Sequence, residues 1–180
     1  MKTVFMLLII GLSILSACNR GNPEQLPVDF VWDRVRCEEC LMALSDHHYS
    51  AQAIHPDGKA YYFDDIGCAI LWLRRQAWKD KARTWVNDVN TTEWIEADKA
   101  YWTYGDPKTP MGYGFAASKT SVEKPIPYET VKKWMYIGKT LVQENTAKHL
   151  GVTYQPSGTI TDDKRKRAAG KKKTQIENRK

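Results

Sequence analysis

The densest group of soft ligands in the chain is Cys37-Glu38-Glu39-Cys40-Leu41-Met42. Thiolate and thioether sulfurs favour Cu(I), whereas carboxylate-rich groups favour hard cations. Cys40 and Met42 are two positions apart, so an extended backbone would aim both sulfurs to one side. A Cys-x-x-Cys pair is in itself a zinc half-site, a redox dithiol or a disulfide. Haem attachment is disfavoured because Leu41 stands where that motif needs His. A thioredoxin-like site is disfavoured because the pair does not follow a strand of a βαβ unit. The methionine argues for copper over zinc, which rarely takes thioethers.

The other candidates have plainer readings. Cys68 is expected as a small apolar side chain on a helix, or as a thiol whose pKa the helix N-terminus lowers. Asp64 and Asp65 read as helix caps, one of them able to orient a metal site from outside it. His47 and His48 read as solvated loop histidines, with copper ligation as the alternative. Glu38 and Glu39 are expected to face solvent. No Ser-His-Asp arrangement, phosphate-cradling glycine loop or acid–base pair stands out, so no enzyme is expected.

The elements that must position these residues follow from turn signals and periodicity. Residues 49–55 and 60–63 flank Asp57-Gly58 and predict a β-hairpin. A helix is expected from Ile66 to about Trp78, with Ile66, Ile70 and Leu73 on one face. Residues 84–89 and 94–104 predict two strands joined at Asn90, and 106–114 a Gly- and Pro-rich loop. Pro125 and Pro127 precede a helix expected from Tyr128 to about His149, closed by Gly151. The order of elements predicts an α+β domain.

The N-terminus reads as an address. Lys2, an apolar stretch over residues 4–15 and Leu15-Ser16-Ala17-Cys18 resemble a lipoprotein signal, with Cys18 lipidated. The apolar stretch is too short to span a bilayer. Residues 1–17 are thus expected as signal and 18–29 as a polar tether. Setting Cys18 aside leaves Cys37, Cys40 and Cys68, an odd number for an oxidising compartment.

With the anchor motif in place, four ordered blocks carry a resemblance. They are Cys37-x-x-Cys40-x-Met42, Phe63-Asp64-Asp65-Ile66-Gly67-Cys68, Trp94-Ile95-x-Ala97-x-x-Ala100-Tyr101 and Thr109-Pro110-Met111-Gly112. Their order and spacing resemble the NosL family, membrane-anchored copper-chaperone lipoproteins that serve nitrous oxide reductase. The resemblance implies two ββα-type units over residues 30–155, here with an extra C-terminal helix, binding one Cu(I). It implies Cys40 and Met42 as the Cys-x-Met ligands and Met111 as a third. Cys37 is a further ligand or the oxidation partner of Cys40. It also implies delivery to nitrous oxide reductase or its ABC-type maturation complex, from the periplasmic face of a bacterial membrane. Asn19 after the lipidated cysteine favours the outer membrane. The alternatives are a thiol–disulfide oxidoreductase using Cys37 and Cys40, and a structural lipoprotein stapled by a Cys37–Cys40 bridge.

The net charge of +6 lies wholly in residues 161–180, which hold nine Lys/Arg and three Asp/Glu. Residues 1–160 are neutral, so no folded basic face is expected for nucleic acid. Residues 156–180 lack the apolar content of a folded segment and are expected to be a disordered basic tail, reaching anionic headgroups or an acidic partner.

Overall fold

A computed structural model describes residues 22–151, together with 153 and 156. The signal, the Cys18 lipidation site and the basic tail beyond residue 156 lie outside the described residues.

The predicted hairpin forms from β1 (Ala51–Ile54) and β2 (Ala60–Phe63), paired antiparallel with Ala51 opposite Phe63. Gly58, at φ +93°, supplies the left-handed residue of its turn. β3 (Arg83–Asn87) adds to the other edge of β1 and β4 (Trp94–Glu96) to β3, so the antiparallel order is β2-β1-β3-β4. β1 is the most enclosed strand, and all four of its residues are buried. Its Gln52 exchanges two hydrogen bonds with the backbone of Val28, satisfying a polar side chain with no exposed surface. By strand alternation Ala51 and Ala53 turn the other way. They share a core with Ile66, Ile70 and Leu73 of α1 (Ile66–Leu73).

Three expectations are corrected. Residues 94–104 are not one strand. A 3-10 turn at Ala97–Lys99 carries the chain out of the first sheet into β5 (Tyr101–Tyr104), which pairs with β6 (Phe115–Ser118). Buried Trp102 fixes that step by donating its indole N–H to Ala97 O at 2.9 Å. The C-terminal helix is two helices, α2 (Tyr128–Tyr136) and α3 (Leu141–His149), because Gly138 at φ +74° ends the first. α1 stops at Leu73, short of Trp78, and runs on through turns. Part of the expected tether is also bound to the body. Trp85 donates to Gln25 O at 2.7 Å and Arg83 to Glu24 O at 2.6 Å.

The fold is therefore α+β, with a four-stranded and a two-stranded antiparallel sheet and helices against them. Asp88 couples the sheets. Its carboxylate accepts from the N–H groups of Asn90, Thr91 and, beyond β6, Lys119. Among the described residues no helix is long and apolar enough to cross a membrane.

Candidate metal centre

Cys37 and Cys40 lie in a tight turn between Arg36 and Ala43, which form an isolated antiparallel bridge. Cys37 N–H donates to Met42 O at 2.8 Å, Leu41 N–H to Cys37 O at 3.0 Å, and Glu38 N–H to Tyr62 O at 3.0 Å. The turn is thereby closed on itself and tied to β2. Leu41 adopts φ +66°, a left-handed conformation that costs a non-glycine residue about 1–2 kcal/mol. The expectation of an extended backbone aiming Cys40 and Met42 to one side is thus incorrect. The turn, not strand alternation, sets their directions.

The β2–α1 junction supplies the facing groups. Asp65 caps α1, accepting from Gly67 N–H at 2.8 Å, and Cys68 lies in the first turn of the helix. Asp64 turns instead toward the Cys37–Cys40 turn, where its Oδ2 accepts from the Cys40 thiol at 3.3 Å. One ligand atom from each of Cys37, Cys40, Asp64 and Cys68 lies within 4.8 Å of the others. Sulfur ligands about 2.3 Å from a small ion lie about 4 Å apart, so little movement would close this set on a metal. Asp64 Oδ1 is buried and has no hydrogen-bond partner, an acceptor left for a cation.

The three described cysteines, Cys37, Cys40 and Cys68, are free thiols. Cys37 and Cys68 have no exposed surface, whereas Cys40 is half-buried at the rim. Their protons are unequally held. Donation from the Cys68 thiol, helped by backbone N–H groups and opposed by burial, brings Cys37 down to about 7. Burial foremost pushes Cys40 up to about 12. Cys68 is raised because it gives its hydrogen to Cys37 and is itself buried. The expected lowering of Cys68 by the helix N-terminus is reversed by those two effects.

The two methionines sit differently. Met42 follows Cys40 and Leu41 on the outside of the turn and is 51% exposed. Met111 is partly buried against the core, and its N–H points to Asp65 Oδ2 at 3.5 Å. The histidines stay outside the thiol set. His47 stacks on Trp32 with ring centroids 3.8 Å apart, and His48 Nδ1 lies 3.2 Å from Asp46 Oδ1. Glu38 is exposed as expected, while Glu39 pairs with Arg75 just beyond α1.

Cys68 and Asp64 are the residues that sequence reasoning undervalued. Their signal was the placement of both, with the Asp65 cap between them, on one strand-to-helix junction. What the sequence could not show was that the Cys37–Cys40 turn hydrogen-bonds to β2 and so reaches that junction.

No family model and no curated protein matches the chain. Among solved structures it is similar to the copper chaperone NosL from Shewanella denitrificans, at a TM-score of 0.45 and 13% identity. That alignment covers 76% of this chain and 97% of the other.

Proposed function

We propose that residues 30–155 form a Cu(I)-binding metallochaperone domain rather than an enzyme. The observation that carries the reading is the convergence of three free thiols on one buried point, with Cys40 alone at the surface. The Cys-x-Met and Pro-Met-Gly blocks of the sequence agree with it.

Copper is the cargo. Exposed Met42 receives it at the mouth and Cys40 binds it at the rim. Cys37, Cys68 and Met111 are the sulfurs available to complete a low-coordinate site. Release follows the reverse order: an acceptor's soft ligands replace Cys40 and then Met42, one at a time, and copper stays +1 throughout. Neutral thiols lose their protons as copper binds.

The anchor and client extend the same reading. Cys18 is the lipidated residue, and the domain works at the periplasmic face of a bacterial membrane. Nitrous oxide reductase, or its ABC-type maturation complex, is the acceptor. The basic tail contacts anionic headgroups or an acidic partner, and nucleic acid is not a ligand.

Two observations weigh against a thiol–disulfide oxidoreductase. Its attacking thiol must be accessible and acidic. Here Cys37 is the acidic thiol and is buried, while the accessible Cys40 is pushed up to about 12. One observation favours a second metal reading: the Asp64 carboxylate beside three thiols would suit tetrahedral zinc.

Anaerobic competition between the reduced protein and a Cu(I) chelator tests the proposal. One tightly held Cu(I) per chain, lost in Cys40→Ser, is expected. Unchanged Cu(I) affinity in Cys40→Ser, or binding of zinc in preference to Cu(I) at equal chelator strength, would overturn it.

A further inference from the structure

Two adjacent carboxylates, Asp64 and Asp65, are 3% and 1% exposed. Burying one carboxylate is costly and burying two side by side is more so, which calls for a use for each. Asp64 faces the Cys40 thiol. A helix cap by itself does not account for Asp65, because capping needs a single acceptor and an uncharged Ser, Thr or Asn provides one. Its Oδ1 makes the cap to Gly67 N–H at 2.8 Å. Its Oδ2 reaches Met111 N–H at 3.5 Å, across 46 positions of sequence.

We propose that Asp65 is a positioning residue for the metal centre, joining the Cys68 end of α1 to the backbone of Met111 and so holding that thioether beside the thiols. The inference rests on the reading of Met111 as a copper ligand.

The surroundings of the loop fit this role. The loop folds on itself, with Gly112 N–H donating to Thr109 O and Gly114 N–H to Thr109 Oγ1, both at 2.9 Å. Two of its carbonyls are taken by the start of α3, where Val142 N–H donates to Gly112 O at 2.7 Å and Leu141 N–H to Tyr113 O at 3.2 Å. Asp65 engages an amide instead, so the loop is gripped from two sides. Gly67 lets it come close. A Cβ there would stand 2.1 Å from Cδ2 of Tyr113. Asp64 and Asp65 thus divide one task, the first aimed at the turn of Cys40 and the second at the loop of Met111.

The test uses Asp65→Asn, which keeps an oxygen for Gly67 and replaces the second oxygen by a group that cannot accept. In the metal-free protein the Met111 amide resonance should move while the Met42 amide stays. Cu(I) affinity, read by chelator competition, should fall about tenfold, the scale of a lost partner outside the ligand set. In a Met111→Ala background, Asp65→Asn should cost nothing further. Asp65→Ser, which keeps a capping oxygen and drops the other, should repeat the result if Asp65→Asn folds poorly.

Equal losses in both backgrounds would show a general structural effect and overturn the proposal, as would an unmoved Met111 amide. Unchanged affinity in Met111→Ala alone would also overturn it, by removing Met111 from the site. A wild-type protein that binds no Cu(I) would sink the copper reading itself, a failure separable from the others because the amide shift needs no metal.

Discussion

The thiol of Cys40 and the Oδ2 of Asp64 lie 3.3 Å apart, joining the Cys37–Cys40 turn to the β2–α1 junction. The Cys68 thiol's donation to Cys37 and the Glu38–Tyr62 backbone bond make the same join. Together they bring three sulfurs and a carboxylate to one site. Asp64→Ala is therefore expected to weaken Cu(I) binding less than Cys40→Ser does, since it frees the rim thiol without removing a sulfur. Chelator competition on both variants checks the order, and an equal loss in the two would make the carboxylate a ligand in its own right.

Copper affinity should rise with pH. Cys37 is held near 7 and so is mostly a thiolate above neutrality, whereas Cys40, near 12, and Cys68, also raised, still carry protons there. Binding to all three releases about two protons above pH 7 and about three well below it. The plot of log affinity against pH should accordingly steepen toward acid. Cys37→Ser should abolish the change of slope near 7, which titration across that range would show.

Gly67→Ala tests the contact between α1 and the Met111 loop. The added methyl meets the Tyr113 ring, so either the ring or the loop must move. Overpacking of this kind costs about 1–3 kcal/mol. Denaturant unfolding should show that loss, and Cu(I) affinity should fall with it. A helix stabilised by the alanine, with affinity unchanged, would contradict the packing.

Much of this arrangement is legible in the residues. Asp57-Gly58 between apolar runs marks the hairpin, and the Asp-capped apolar run from Ile66 marks the helix, because turn chemistry and capping are local. The lost details are non-local or depend on a single backbone dihedral. Gly138 breaks what reads as one helix, since apolar spacing from Val131 to Leu141 does not register a left-handed residue. The step from β4 to β5 depends on the buried Trp102 indole finding Ala97 O, a contact with no sequence pattern. Cys40 and Met42 stand out as candidate soft ligands from type alone. Cys68 joins Cys40 only through tertiary pairing of the turn with β2.

Asp88 should matter to the body of the fold. Burial raises its pKa, but the N–H groups of Lys119, Asn90 and Thr91 outweigh that and hold it below 3.8. A carboxyl lowered in the folded state stabilises above its unfolded pKa, and that stability is lost as pH falls through the folded value. Asp88→Asn leaves Lys119 N–H poorly satisfied and should cost about 1.5–3 kcal/mol at pH 7, the worth of hydrogen bonds to a charged group. The gap between variant and wild type should close at acid pH. A gap that does not shrink at all as pH falls below the ordinary carboxylate range would contradict the electrostatic account.

Anchoring and copper binding should separate. Cys18→Ser is expected to move the protein from the membrane fraction to the soluble periplasmic fraction with its Cu(I) affinity intact. Deleting residues 157–180 should likewise leave affinity unchanged while reducing binding to vesicles containing anionic lipid. Loss of copper binding in either variant would contradict the division of roles.

The central claim is that copper sits among these sulfurs. X-ray absorption at the copper edge on the reduced, singly loaded protein tests it most directly. A Cu(I) edge with a shell of two or three sulfurs, losing sulfur in Cys40→Ser, is the predicted result. A shell dominated by nitrogen or oxygen and unchanged in Cys40→Ser would contradict it.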